Sequence, residues 1–254
     1  MILELSSLIR RSVEQSLEDK VAVSFSGGLD STTIASIARR NSDVELFSCG
    51  CEKSQDLEYA EKVARSLSLP YNKVLLDEEK AMSAYGRIHS FLPLDFLKLE
   101  ILVPVYCTAE AAAEKGHSVI LFGAAAEELF VGYDRYYRYH DEGKNLDAIL
   151  KEEFKTLPRR EIGWIKRICR KFNIEARFPL YNREIAQLVF SMPVEERMED
   201  RILKKGILRE AAKLLDVPDI AVRRKKKAMQ YGSGVHKMLL KHSEEINRTY
   251  PELS

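Results

Sequence analysis

Residues 21–31 read Val-Ala-Val-Ser-Phe-Ser-Gly-Gly-Leu-Asp-Ser, and the fold turns on them. Val21 to Phe25 is a short β-branched and aromatic run, the pattern of a buried strand. Gly27 and Gly28 interrupt it, and Ser31 to Arg40 then opens a helical pattern. A glycine pair between strand and helix permits a tight turn whose N–H groups converge on an anion. The helix behind it adds the positive end of its dipole. Ser26 and Ser31 offer hydroxyl donors to phosphate oxygens. Asp30 suits such a site only if it holds a divalent cation that bridges the phosphates. The pattern is neither GxxxxGK[ST] nor GxGxxG, and it predicts a magnesium–nucleotide site of another type.

Working outward, Leu5, Ile9, Val13 and Leu17 recur about once per turn and predict a helix over 4–18. Strands are predicted at 44–49, 72–76 and 118–123, with helices at 56–67 and 99–115. Strand, loop and helix alternate through the first half, as in a mostly parallel sheet covered by helices on both faces. Past Glu127 the strand signals fade. Helices are expected at 127–140, 145–155, 160–170, 183–190, 201–215 and 232–247. The division follows: an α/β nucleotide-binding region over 1–140 and a mainly helical region over 141–254, packed directly on it.

The chain has 254 residues, 45% hydrophobic and 31% charged, a foldable mixture. No apolar run approaches the ~20 residues that cross a bilayer. Glu4, Arg10 and Arg11 break any secretory leader. Lys plus Arg number 40 against 39 acids, a net charge of +1 that gives no global argument for nucleic acid. Local basic clusters stand at 166–171 and 223–227. Cys49, Cys51, Cys107 and Cys169 form neither a disulfide framework nor a clustered metal set. Ordinary thiols and a cytoplasmic location are expected. His89, His117, His140 and His236 have no metal-ligand spacing.

Ser-Gly-Gly-Leu-Asp-Ser resembles the PP-loop of the N-type ATP pyrophosphatases. Three later stretches resemble one branch, the synthetase domain of asparagine synthetases and their β-lactam synthetase relatives. These are GAAAEELFVGYDRY at 123–136, IEARFPLYNREI at 174–185, and KKGILREAAKLL at 204–215 followed by RRKKKAMQYGSG. The resemblance implies a Rossmann-like sheet of the adenine nucleotide alpha hydrolase type. It also implies an enzyme that uses ATP and Mg²⁺ to activate a small-molecule carboxylate for attack by ammonia or an amine. Ser24, Ser26, Gly27, Gly28, Leu29, Asp30, Ser31, Gly123, Tyr133 and Arg224 become candidate nucleotide contacts. Asp30 and Glu127 become candidate metal ligands; from spacing alone, Glu127 and Glu128 equally suit the first turn of a helix. Lys226 acquires the role of neutralising charge on the α-phosphate and on departing pyrophosphate, with Lys205 and Arg209 assisting. Glu175 acquires a basic or supporting role, for which its pKa must rise; from the residues alone, Glu175 and Arg177 read equally as a structural salt bridge.

Two departures bear on the product. Met1-Ile2-Leu3 lacks the cysteine nucleophile of a glutaminase, and the PP-loop begins within 24 residues. Nitrogen is therefore expected from free ammonia, a substrate amine or a separate glutaminase subunit. Ala124, Ala125 and Ala126 stand where asparagine-forming relatives have Glu-Gly-Ser, and that Glu resembles the base for ammonia attack. Two alternatives stay open: a PP-loop enzyme modifying tRNA, and a non-catalytic ATP-binding subunit of an amidotransferase.

Overall fold

The computed structural model describes residues 1–225 and 233–249. Five strands form one sheet: β1 (Lys20–Ser24), β2 (Asp43–Gly50), β3 (Tyr71–Leu75), β4 (Val119–Leu121) and β5 (Glu175–Arg177). They lie in the order β3-β2-β1-β4-β5, and every pair is parallel. Strand order reverses between β1 and β4, which opens a crevice at the carboxyl ends of those two strands.

Side-chain alternation explains why both faces are covered. Val21 and Val23, Val44 and Leu46, and Val119 and Leu121 enter one apolar cluster. Ala22, Phe47 and Ile120, which point to the opposite face, enter the other. On the first face pack α1 (Ile2–Glu14), α2 (Leu29–Ala38) and α3 (Gln55–Leu67). On the second pack α4 (Glu78–Phe91) and α5 (Phe96–Glu114). The helix α4 lies in a stretch without a sequence assignment. Its apolar spacing of Ala81, Ala84, Tyr85 and Ile88, and Asp77 accepting from the Lys80 N–H, are its signals.

The second half is mainly helical: α6 (Ala126–Leu129), α7 (Asp134–Asp141), α8 (Leu146–Thr156), α9 (Glu161–Arg170), α10 (Arg183–Phe190), α11 (Val194–Arg197), α12 (Gly206–Lys213) and α13 (Asp219–Val222). Two further helices span Val235–Lys241 and Ser243–Thr249. The single helix expected over 127–140 is two. Val131 adopts φ 53° between them, a costly conformation for a β-branched residue. The helix expected over 201–215 is confined to Gly206–Lys213, because Lys204 and Lys205 both take positive φ. The fifth strand lies in the segment read as inter-helical. With three residues, charged at both ends, it carries no strand period. The core also runs across residue 140, since Leu180, Leu208 and Val222 join the cluster that holds Val21 and Leu46.

Candidate active site

The PP-loop follows β1 directly. Gly27 has φ +64°, and a Cβ there would stand 2.8 Å from the Ala60 backbone. That double constraint is why glycine occupies the turn. Hydroxyls brace the loop from inside: the Ser26 N–H donates to Ser31 Oγ at 3.2 Å and the Gly28 N–H to Ser26 Oγ at 3.2 Å. Gly28 precedes α2 with no side chain capping the helix. Orphan N–H groups and the helix dipole therefore face the crevice.

The loop after β4 brings the second half of the site. Gly123 lies against Asp30, where a Cβ would approach the Asp30 Cβ to 3.0 Å. Ala125 adopts φ 78° and starts α6, so Glu127 and Glu128 fall in its first turn. Asp30 and Glu127 converge on one point. Lys205 Nζ lies 2.6 Å from Asp30 Oδ2 and 2.9 Å from Glu127 Oε1. Burial opposes the charge on Lys205, but the two carboxylates outweigh it and push the ammonium up to about 12. Lys205 holds this position with φ 56° at the start of α12, a strained backbone of the kind kept where surroundings over-determine it. A Cβ on Gly132 would stand 1.7 Å from Glu127 Oε2, so only glycine lets that carboxylate fold back against the chain.

Arg224 reaches the same loop. It donates to the Ser26 carbonyl and to Asp56 Oδ1, each at 2.5 Å, and stacks 4.0 Å from the Tyr59 ring. Arg209 is buried and donates to the carbonyls of Leu203, Lys204, Val222 and Arg224, tying the α12 start to the segment after α13. A cleft of about 520 Å³ joins these groups. Ser24, Ser26, Gly28, Leu29, Asp30, Ser31, Gly123, Ala124, Glu127, Tyr133, Lys205 and Arg224 all line it.

Two hard carboxylates converging on a single positive charge fit Mg²⁺, which takes few protein oxygens and completes its shell with phosphates and water. Asp30 and Glu127 would hold it. Among the described residues no group of three or more His, Cys, Asp or Glu forms a metal cage.

Beyond Ala124 the cleft is acidic. Glu128 is 3% exposed, and burial, then Glu161, push its carboxyl up to about 7. Glu161 and Arg135 line the same wall. Arg135 is committed elsewhere: it donates to Glu153 at 2.5 Å and lies 4.4 Å from the Tyr133 ring. Burial, followed by neighbouring acids, pushes the Tyr133 phenol well above its usual value and keeps it neutral.

The model of the asparagine synthase family matches residues 4–164 and 154–251. The chain belongs to the asparagine synthase family. A relative from Methanocaldococcus jannaschii, named as a candidate glutamine-hydrolysing asparagine synthetase, is 31% identical over 258 residues, covering 88% of this chain and 47% of that protein. Human glutamine-hydrolysing asparagine synthetase is 26% identical over 204 residues, 75% of this chain and 36% of its own. The chain thus spans less than half the length of these curated relatives. Among solved structures, NMN synthetase from Francisella tularensis aligns with 100% of this chain and 94% of its own, at 13% identity and TM-score 0.46. NH₃-dependent NAD synthetase from Campylobacter jejuni covers 98% and 86%, at 16% identity and TM-score 0.45.

One of the expected site residues, Glu175, is not brought together with the rest. Glu175 stands at the start of β5, where it pairs with Val119 at the opposite end of β4 from Gly123. Its side chain is 61% exposed and bonds Arg177 at 2.8 Å, which lowers its pKa; a base near neutrality needs the reverse. The geometry gives Glu175 the salt-bridge role. Lys226 lies outside the described residues. Three participants escaped sequence reasoning: Lys205 as the bridge rather than an assistant, Asp56 as the anchor of Arg224, and Glu161 on the wall. Lys205 had a signal, a Lys-Lys-Gly break just before an apolar helix. Glu161 had none, because it joins the cleft only through the packing of α9.

Burial, then Cys107, raise the Cys49 thiol, opposite to a reactive thiolate. No described helix is long and apolar enough to cross a membrane.

Proposed function

We propose that this chain is an ATP-dependent, AMP- and pyrophosphate-forming ligase that activates a small-molecule carboxylate for attack by ammonia or an amine. The observation that carries the reading is the convergence of Asp30 and Glu127 on Lys205 beside a glycine-rich phosphate loop. Family membership supports ATP-utilising ligase chemistry.

The Gly27–Gly28 turn, the α2 amides and the hydroxyls of Ser26 and Ser31 hold the phosphates of ATP. Gly123 lets the β4 loop approach Asp30, and Tyr133 walls the cleft. Magnesium, held by Asp30 and Glu127, would neutralise phosphate charge and orient the phosphates. Lys205 keeps those two carboxylates together, while Arg224 supports the loop carbonyl at Ser26. Lys226 takes the role of stabilising pyrophosphate as it leaves. The substrate carboxylate attacks the α-phosphorus, forming an acyl-adenylate and releasing pyrophosphate. Ammonia or an amine then attacks the acyl carbon, and AMP departs.

Product analysis tests this. Incubated with ATP labelled at the α- and γ-phosphates, pooled carboxylic acids, ammonia and simple amines, the protein is expected to yield AMP and pyrophosphate in equal amounts. Formation of ADP with no AMP would sink the reading.

A further inference from the structure

We propose that Glu100 and His236 form a clasp that positions Ser233 on the wall of the cleft, and that nucleotide affinity depends on it. The inference deepens the ligase reading and rests on it for a nucleotide in the cleft.

Glu100 stands between Leu99 and Ile101 in the apolar helix α5 and is fully buried. Its Oε2 lies 2.7 Å from His236 Nδ1, while its Oε1 meets no donor among the described residues. A carboxylate so deeply buried is costly unless a donor meets it. With Nδ1 as the donor, His236 supplies that contact. The α5 residues just past Glu100, from Ile101 to Val105, bring Ile101, Leu102, Pro104 and Val105 to the cleft.

His236 belongs to the helix Val235–Lys241. Val235 and Leu239 bury fully in the apolar cluster that holds Leu99 and Val103. Such contacts attach the helix but are non-directional. At its far end Lys241 and His242 meet Glu78 of α4 through partly exposed side chains, and exposed pairs contribute little. The buried hydrogen bond from His236 to Glu100 is directional, so it fixes how the helix is turned about its axis.

What that rotation sets is the place of Ser233. Ser233 is 1% exposed and lines the cleft. Its carbonyl accepts the Cys51 N–H at 2.8 Å, just past the carboxyl end of β2. Gly234 has φ +82°, and a Cβ there would stand 2.6 Å from Cys51 Sγ. The turn before the helix is therefore seated closely against the end of β2, whose Ser48 and Cys49 line the same cleft. Turning the helix pulls Ser233 away from that wall. Neither Glu100 nor His236 lines the cleft, so both are positioning residues.

Two readouts on the full chain test the clasp without requiring turnover. One is calorimetric affinity for α,β-methylene ATP with Mg²⁺. The other is the rate at which iodoacetamide alkylates Cys51, followed by peptide mass spectrometry, which reports whether Gly234 still covers that thiol. His236→Ala is expected to weaken the affinity about tenfold and to speed Cys51 alkylation about tenfold. His236→Asn keeps an N–H donor near the Nδ1 position and is expected to restore both to within about twofold of wild type. His242→Ala, at the exposed end of the same helix, is expected to change either by less than about twofold. Glu100→Leu combined with His236→Ala removes both partners and leaves no buried charge unpaired. That double variant carries the same expectation if His236→Ala does not fold. Unchanged affinity or unchanged Cys51 alkylation in the folded variants, no restoration by asparagine, or an equal loss from His242→Ala would overturn the proposal. An enzyme that makes ADP fails the ligase reading and leaves these affinities and alkylation rates untouched.

Discussion

At the nucleotide end of the cleft, Lys205 stands between Asp30 and Glu127. On the wall beyond Ala124, Glu128 is equally buried, and no described cation bonds its carboxylate. The first arrangement compensates its charge within the chain. The second leaves a buried carboxyl that burial, then Glu161, push up to about 7. Both ends lie on the loop from Gly123 to Glu128, so a single β4–α6 connection serves two opposite electrostatic tasks.

The sharpest way to break that contrast is Asp30→Ala. It removes one of the two carboxylates at the phosphate loop, and AMP formation is expected to fall by ~100-fold or more, measured under saturating Mg–ATP. Undiminished turnover would show that the nucleotide end is not where phosphate charge is handled.

Stability separates the two ends next. Lys205→Met leaves Asp30 and Glu127 facing each other without their cation, with an expected loss of about 3 kcal/mol in urea unfolding. Glu128→Gln removes a buried charge that has no described partner, and stability is expected to hold or rise. Equal losses from both would erase the distinction between compensated and uncompensated ends.

Gly132→Ala tests how the Glu127 carboxylate is seated. A Cβ 1.7 Å from Glu127 Oε2 forces the side chain to move, at a cost of about 2 kcal/mol together with weaker ATP binding by calorimetry. A neutral substitution would mean that Glu127 is free to sit elsewhere.

The smallest effect sharpens the contrast from outside the cleft. Burial raises the Glu45 carboxyl, but bonds from Lys20, Asn72 and Lys115 outweigh it and hold the pKa at about 2. A folded pKa below the unfolded value of 4.5 means stability that is present above about 4.5 and lost as pH falls through about 2. The contribution is on the order of 1 kcal/mol after solvent screening. The difference between wild type and Glu45→Gln in unfolding experiments is expected to shrink between pH 5 and pH 2.

How much of this the sequence revealed depended on locality. The strand–Gly–Gly–helix unit at 21–40 is a local pattern, and β1, the loop and α2 lie where residue period and turn chemistry put them. The break at Lys204–Lys205 has one local mark, the glycine that follows, while the positive φ of both lysines accompanies tertiary bonds from Lys205 to Asp30 and Glu127 that no local pattern shows. Glu175 illustrates the converse. Its motif is legible, but three parallel-strand residues place it at the amino end of the sheet, away from the crevice, and only the register reveals that. Glu161 required the packing of Ile162 against the alanine loop. The phosphate loop was readable because it uses backbone geometry; the acidic wall was not, because distant helices assemble it.

The most direct test of the account is exchange of labelled pyrophosphate into ATP, run with Mg²⁺ over pooled carboxylic acids. The account predicts acid-dependent exchange in the wild type and none in Asp30→Ala. Acid-dependent formation of ADP and inorganic phosphate, with no pyrophosphate exchange under any acid pool, would contradict it.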